Sequence, residues 1–391
     1  MISVEKLINI PLFNIGFRPF FFVGGLSGFL LMLLWMFMYQ SSQPWVLTMP
    51  AHIWHAHEMI FAYLMAVIVG FLLTAVQNWT GSKTINGPTL LVLFVIWLMA
   101  RLLPFVEGCP LWLQAVVDVP FLFCAAVAIA LPIIKSKSWK QVGILSKVIL
   151  MAVAHLVFYL GLLGVLDDGV RWGLYGAFYM VLALTFVMAR RVMPFFIEKG
   201  LGGGFELKNI TFIDRASLIL LTAYAGIELF WPSDVIYFVA LLLCILHGTR
   251  LVNWYRSGIW KKSLLWSLYV AYVFLVIGFA LKAASYFFVI SPFIVLHCFA
   301  MGIALFTISM MSRVSLGHTG RNVSDPPKVL KWVFIPLLLA MVFRVIFPLI
   351  IPEYYGIWIG VSQGLWVLAF LVFIKTYIPI FFQPRVDGKF G

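Results

Sequence analysis

Charged residues are scarce in this sequence. Asp, Glu, Lys and Arg together make up 10% of its 391 residues, whereas hydrophobic residues make up 63%. An ordinary soluble domain carries about a quarter charged residues, so this composition excludes a soluble enzyme and a disordered chain. Cysteine is scarce as well, and the four cysteines have no paired spacing, which excludes a disulfide scaffold and a cysteine zinc site. The class that remains is a polytopic membrane protein.

Long apolar runs are abundant, and each is close to the roughly 20 residues that a membrane-spanning helix needs. They cover residues 19–39, 53–77, 88–106, 110–134, 142–166, 172–196, 213–231, 233–256, 263–289, 291–315, 328–350 and 354–383. We therefore predict an all-α bundle of about 12 transmembrane helices that forms a single integral membrane domain over 1–391. The division of 88–132 stays open: it is either two helices broken at 104–110 or one span plus a re-entrant piece.

The basic residues lie almost wholly in alternate gaps between these runs. If the N-terminus is on side A, that side holds Lys83, Lys135, Lys137, Lys140, Arg190, Arg191, Lys199, Lys208, Arg256, Lys261, Lys262, Arg321, Lys328, Lys331, Arg385 and Lys389. Side B holds Arg171 and the acidic residues Glu107, Asp167, Asp168, Asp234 and Glu353. The positive-inside rule makes side A the cytoplasm and places both termini there. The net charge of +13 thus indicates topology and contact with the lipid bilayer, and we expect no nucleic-acid partner.

Three of the seven histidines crowd the start of the second run, where His52, His55 and His57 precede Glu58. At about 100° per residue, an α-helix puts His52, His55 and either Glu58 or Met59 on one face and points His57 nearly opposite. Imidazole is the commonest metal ligand and suits iron, copper and zinc. We therefore predict metal ligands in two directions from this helix. The alternative is a polar helix start that meets water and lipid headgroups.

Three more histidines lie inside predicted spans. His297 begins the tenth span, close to side B and at a depth similar to that of the first histidine cluster, whereas His155 and His247 lie near the middle of theirs. All three are candidate ligands, and for His155 and His247 the alternative is a buried neutral imidazole bonded to a backbone carbonyl. His318 is about 30 Å of helix rise from His297, so these two cannot share a metal. We expect His318 to be a structural or anion-binding element on the cytoplasmic side.

Five charged residues lie within the side-B halves of predicted spans, where a charge is unfavourable and indicates function. They are Glu58, Arg101, Asp118, Lys282 and Arg344. In one interpretation the basic residues hold the propionates of a haem whose iron is bound by histidine. In the other, Arg–Asp and Lys–Glu pairs lock helices together or line a substrate path. For Arg101 and Arg344 a further alternative is that their side chains extend to the membrane interface.

Several motifs resemble those of the NnrS family. They are NIGFRPFF (14–21), WHAHEM (54–59), GFLLTAVQNWTG (70–81), RVMPFF (191–196) and RVSLGHTGR (313–321), together with His297 at the start of the tenth span. Their order and spacing also match, so the resemblance runs over essentially the whole chain. It implies a polytopic protein of the bacterial inner membrane that contains haem and copper and acts in the response to nitric oxide.

On this resemblance we expect haem b and copper as cofactors and nitric oxide as a ligand or substrate. The expected metal and haem ligands are His55, His57, His155, His247 and His297. Glu58 would orient a ligating imidazole, and Glu58 and Asp118 are the candidate catalytic acids of a redox enzyme that processes nitric oxide. Arg101, Lys282 and Arg344 would hold haem propionates.

Turnover of a substrate is an open question at the level of sequence, and so is the redox partner. An enzyme needs an open coordination position beside an acid, whereas a binding or sensing protein needs only ligation. A transporter or channel is the rival class, because the same intramembrane charges would line a substrate path without metal and the broken region at 104–110 supports it. The adjacent His-His pair of haem–copper oxidases is absent from the sequence, so we do not expect one of those enzymes.

Overall fold

A computed structural model describes residues 10–41 and 48–391, and the regular structure in those residues is helical throughout. The long helices are α1 Phe17–Ser41, α2 Ala51–Thr80, α3 Gly87–Phe105, α4 Leu111–Lys135, α5 Trp139–Leu162, α6 Gly169–Gly200, α7 Thr211–Phe230, α8 Val235–Trp254, α9 Ser263–Ala284, α10 Pro292–His318, α11 Lys328–Ile350 and α12 Pro352–Phe382. These 12 helices confirm the all-α prediction. The open division at 88–132 is resolved as two helices, because α3 ends just before a short loop and α4 begins after Pro110.

Among the described helices, 11 are long and apolar enough to cross a membrane. The exception is α7, whose sequence includes Asp214, Arg215 and Glu228. Two of these charges are paired, since Arg250 donates to Asp214 at 2.8 Å and Lys282 contacts Glu228. Pairing makes the burial of charge in a bilayer less unfavourable, so α7 is compatible with a twelfth span. The cytoplasmic placement of both termini requires α7 to cross and stays a prediction.

The chain forms two compact units. Unit 1 comprises Met1–Val181, Met311–Val323 and Phe370–Gly391, and unit 2 comprises Leu182–Met310 and Ser324–Ala369. Each unit contains buried histidines that contact charged side chains: His57 and His155 in unit 1, and His247 in unit 2.

In unit 1, α1 and α2 pack closely because glycines lie at their contact. A Cβ atom on Gly24 would lie 2.8 Å from Val67 Cγ2, and one on Gly70 would lie 2.8 Å from Phe20 Cβ. Small residues allow helix backbones to approach each other in membranes, where van der Waals packing drives association. This contact holds in place α2, the helix that carries His52, His55 and His57.

Arg18 of α1 is fully buried and bonds the end of α12. Its Nη1 donates to the carbonyl oxygens of Ile380, Phe381 and Gln383 at 3.0, 2.9 and 2.8 Å, and its Nη2 donates to Gly391 O at 2.7 Å. The last carbonyls of a helix have no intrahelical donor. Arg18 therefore satisfies carbonyl groups that burial would otherwise leave unbonded, which gives the first motif a structural role.

The motif at 313–321 contacts the same C-terminal segment. Arg385 Nη1 donates to His318 O at 2.7 Å, and Val386 N donates to Thr319 O at 3.1 Å. Arg385 also bonds both carboxylate oxygens of Asp387, and these hydrogen bonds hold the pKa of Asp387 well below its usual range. The surroundings of His318 are thus those of a structural element.

We expect Arg18→Met to destabilise the folded protein by at least about 3 kcal/mol, because each hydrogen bond from a charged donor contributes about 1.5–3 kcal/mol and the substitution removes several of them. Thermal unfolding of the detergent-purified protein measures the effect as a lower Tm. Arg215→Met is the matched control, since Arg215 is an exposed arginine of α7. An Arg18→Met protein that melts together with the control would contradict this role.

Candidate metal centre

Six polar side chains from four helices meet in the interior of unit 1. They are His57 and Glu58 from α2, Arg101 from α3, Asp118 from α4, and His155 and Tyr159 from α5. All six residues are buried, and we call them the His57 cluster. Ionisable groups in the interior of a membrane protein need partners and commonly mark function, so this cluster is the candidate site.

Three ligand atoms of the His57 cluster converge on one point. His57 Nε2 lies 3.1 Å from His155 Nε2, and Asp118 Oδ2 lies 3.4 Å from each of these nitrogens. Ligands bonded to a tetrahedral ion at about 2.0–2.1 Å lie about 3.3–3.4 Å from one another. The observed spacing is therefore close to that of ligand atoms around a compact metal ion.

Glu58 contacts Nδ1 of His57, the ring nitrogen that does not face His155 and Asp118. Glu58 Oε1 lies 2.9 Å from His57 Nδ1, and an ionised carboxylate only accepts hydrogen bonds, so Nδ1 carries the proton. The lone pair of His57 then lies on Nε2, the atom that faces His155 and Asp118. This is the arrangement in which a carboxylate orients a metal-binding imidazole, and it is the role predicted for Glu58.

Aromatic rings pack against both imidazoles of the cluster. Phe61 stacks on His155 with ring centroids 4.0 Å apart, and Phe158 stacks on His57 at 4.7 Å. His155 Nδ1 is buried and has no hydrogen-bond partner among the described residues. The orientation of the His155 ring is therefore set by this packing and by the contacts of its Nε2.

Arg101 joins the two carboxylates of the cluster. Its Nη1 lies 2.9 Å from Glu58 Oε1, and its Nη2 contacts Asp118 Oδ2. Tyr159 donates a hydrogen bond of 3.0 Å to the same oxygen of Asp118. Charge-assisted hydrogen bonds are the strong ones, so both acids are held in position by protein groups. Arg101 lies beside the metal-ligand candidates here, although it was predicted to hold a haem propionate.

The start of α2 points His55 and His57 in different directions, as its helical pattern predicts. His57 faces the cluster, whereas the half-buried His55 stacks on Trp35 of α1 at 4.5 Å. Glu58 contacts His57 and Arg101. The helix widens into π turns at Glu58–Leu64, and such π segments are frequent at functional sites.

In unit 2, His297 of α10 lies beside Arg344 of α11. His297 Nδ1 is 2.7 Å from the carbonyl oxygen of Phe293, and Arg344 Nη2 is 3.0 Å from the same nitrogen. These two contacts require opposite tautomers, because a carbonyl only accepts and a guanidinium only donates. The shorter contact, to the carbonyl, favours the proton on Nδ1 and the lone pair on Nε2. An imidazole that binds a metal through Nε2 needs this tautomer, and a guanidinium beside it is suited to a carboxylate of the bound group.

His247 of unit 2 has a different environment. Its Nδ1 lies 2.6 Å from the hydroxyl of Tyr272 and 3.2 Å from Arg250 Nη1. Arginine only donates, so these contacts favour a lone pair on Nδ1 and a proton on Nε2, which is buried and has no hydrogen-bond partner in the described part of the chain. For His247 to bind a metal through Nε2, as the predicted ligand role would need while Nδ1 contacts Tyr272 and Arg250, the opposite tautomer is required.

Lys282 of α9 pairs with Glu228 of α7. Its ammonium group contacts a Glu228 carboxylate oxygen and lies 5.6 Å from the ring centre of Tyr237. Arg101 and Asp118 form a similar pair in unit 1. Such Arg–Asp and Lys–Glu pairs are what we expect if the intramembrane charges lock helices together or line a substrate path. To hold a haem propionate, Lys282 would have to leave Glu228 and contact the propionate instead.

Sequence reasoning missed Tyr159 and Arg250. Tyr159 lies one helical turn after His155, on the same face of α5, and that spacing was the available signal. Arg250 is a charge inside an apolar span, three residues after His247, and the rule that found Arg101 and Arg344 also applies to it.

A family model described as NnrS protein matches residues 11–385, nearly the whole chain. No curated protein matches the sequence.

Proposed function

This chain belongs to the NnrS family, and on that premise we propose that it is a bacterial inner-membrane metalloprotein that binds copper and haem b and acts in nitric oxide tolerance. The observation that carries the proposal is the convergence of His57, Asp118 and His155 in the apolar interior of unit 1. The spacing of these three ligand atoms supports a site for an ion, and so does the contact of Glu58 with His57 Nδ1.

Copper is the ion that we assign to this donor set. Two imidazole nitrogens and one carboxylate oxygen converge, and imidazole is a ligand that suits copper. The short distance of 3.1 Å between the two Nε2 atoms also argues against a haem here. Two imidazoles on opposite faces of a haem iron, each bonded at about 2 Å, would be about 4 Å apart.

We assign haem b to His297 with Arg344 as the partner of a propionate. The contact from His297 Nδ1 to Phe293 O at 2.7 Å orients the ring and leaves Nε2 to bind iron. Arg344 supplies a guanidinium within 3.0 Å of that imidazole. A bound ferrous haem or copper ion supplies coordination of nitric oxide, which is the proposed ligand or substrate.

The location suits a small uncharged gas. Nitric oxide enters a bilayer without a polar path, and His57 and His155 are 1% and 0% exposed. Around the proposed copper site, Glu58 orients His57, Arg101 holds both carboxylates, and Tyr159 keeps a hydroxyl proton at Asp118 Oδ2. In an enzymatic form of this activity, Glu58 and Asp118 would relay protons, because each carboxylate can take up a proton and then pass it on.

A transporter remains the rival function because of the Lys282–Glu228 pair. The two side chains are 20% and 23% exposed, so this ion pair of unit 2 is partly open rather than sealed. In a transporter such a pair would exchange partners with a charged substrate, and no metal would be required.

Metal analysis and an optical spectrum of the detergent-purified protein separate the two functions. We expect copper in the protein and sharp b-type bands after reduction with dithionite, with a shift of those bands when nitric oxide is added. Expression is carried out with adequate haem and copper. A colourless protein that holds neither metal would overturn the proposal and favour the transporter.

A further inference from the structure

The charges of the His57 cluster do not cancel. Glu58 and Asp118 each contribute a negative charge, and Arg101 contributes one positive charge. The imidazoles of His57 and His155 bind a metal in their neutral form, so the cluster has one net negative charge when it is ready to bind an ion.

This charge lies in the protein interior. Glu58, Asp118 and Arg101 are 3%, 2% and 8% exposed, and their four helices are apolar enough to lie in a bilayer. Net charge in such a medium is strongly unfavourable, because little solvent screens it. A monovalent cation cancels the charge of the cluster, whereas a divalent cation leaves one positive charge behind.

From this balance we propose that the His57–Asp118–His155 site selects monovalent copper over divalent ions, and that Arg101 is the residue that sets this selectivity. The inference rests on the proposed function, since it deepens the assignment of copper to this site. It gives Arg101 a role as a fixed counter-charge that contacts Asp118 rather than as a partner of haem.

Donor chemistry alone predicts a different preference. Imidazole suits Zn²⁺ and Cu²⁺ well, whereas Cu⁺ is the ion that thiolate and thioether ligands select. Neither a cysteine nor a methionine is among the residues of the cluster. A preference for Cu⁺ at this site would therefore come from the charge of the surroundings and not from the softness of the ligands.

The experiment loads metal-stripped, detergent-purified protein with equal concentrations of either Cu⁺, kept reduced anaerobically with ascorbate, or Zn²⁺. Metal that remains after desalting is measured by mass spectrometry, and electron paramagnetic resonance checks that the retained copper is the silent monovalent form. We expect wild-type protein to retain Cu⁺ at least about tenfold more tightly than Zn²⁺, a difference of about 1.4 kcal/mol. His155→Ala identifies metal bound elsewhere.

Arg101→Gln tests the charge directly, because glutamine keeps hydrogen-bond donors but removes the positive charge. With two net negative charges, the site should shift toward Zn²⁺ by at least about tenfold. Arg101→Lys keeps the charge and should keep the preference for Cu⁺. The double variant Arg101→Gln with Glu58→Gln restores one net negative charge and should recover the wild-type preference without a guanidinium.

The outcomes separate the two proposals. Wild-type protein that holds neither ion at this site overturns the proposed function and this inference with it. Wild-type protein that holds Zn²⁺ as tightly as Cu⁺ overturns the inference alone. If Arg101→Gln folds poorly, the double variant decides, because a shift toward Zn²⁺ in that charge-restored protein would show that net charge does not set the selectivity.

Discussion

His155→Ala is expected to remove nearly all copper from the purified protein. His155 supplies one of three converging ligand atoms, with Nε2 at 3.1 Å from His57 Nε2 and 3.4 Å from Asp118 Oδ2. Loss of a residue that only orients a ligand weakens metal binding about 10- to 100-fold, so loss of a ligand should weaken it by at least about 100-fold. Metal content per protein, measured after chromatography, gives the result directly.

Two histidines of this chain provide matched controls. His52→Ala removes an exposed imidazole from the same helix that carries His57, and His247→Ala removes an equally buried imidazole from unit 2. Both proteins should keep their copper. If His247→Ala lost copper as completely as His155→Ala, the loss would follow from removing any buried ring, and the assignment of the site to unit 1 would be wrong.

His297→Ala is expected to remove the b-type haem bands and to leave copper in place. The imidazole is oriented through Nδ1 by Phe293 O, so its Nε2 is the atom assigned to the iron. Alanine removes the ligand while preserving the helix, since alanine has the highest helix propensity. The reduced absorption spectrum and the copper content of the same preparation measure both parts of the expectation.

Variants of Arg344 provide the control for this assignment. Arg344→Leu removes the guanidinium and should increase the rate of haem loss to a haem-binding acceptor protein, whereas Arg344→Lys keeps the positive charge and should lose haem more slowly than the leucine variant. Full haem content in His297→Ala would move the haem away from His297. Together with His155→Ala, these proteins test whether copper and haem are lost independently.

Much of the fold follows from the sequence because hydropathy is a local property. Each span needs only its own run of apolar residues, and the 12 helices accordingly lie where the runs predict. The charged residues of the site were also found from the sequence, because Glu58, Arg101 and Asp118 are exceptions within apolar runs. The family resemblance, too, required only short motifs in a fixed order, and the family model confirms it over 11–385.

Which of those residues contact one another could not be predicted in the same way. His57 and His155 are 98 positions apart and bond through their Nε2 atoms, whereas His55, two residues from His57, stacks on Trp35. In a bilayer most faces of a helix are apolar, so the hydrophobic pattern carries little information about which face meets which neighbour.

The sequence by itself thus determined a polytopic helical membrane protein and the residue types from which a metal site could be built. The tertiary structure decided that His57, Asp118 and His155 meet and that Arg101 contacts both Glu58 and Asp118. It also decided that Lys282 pairs with Glu228. The physical reason is that insertion into a membrane depends on each segment alone, whereas a site depends on the lateral packing and rotation of several helices. Those features are set by close contacts between side chains, such as glycines against bulky neighbours and π turns at Glu58–Leu64.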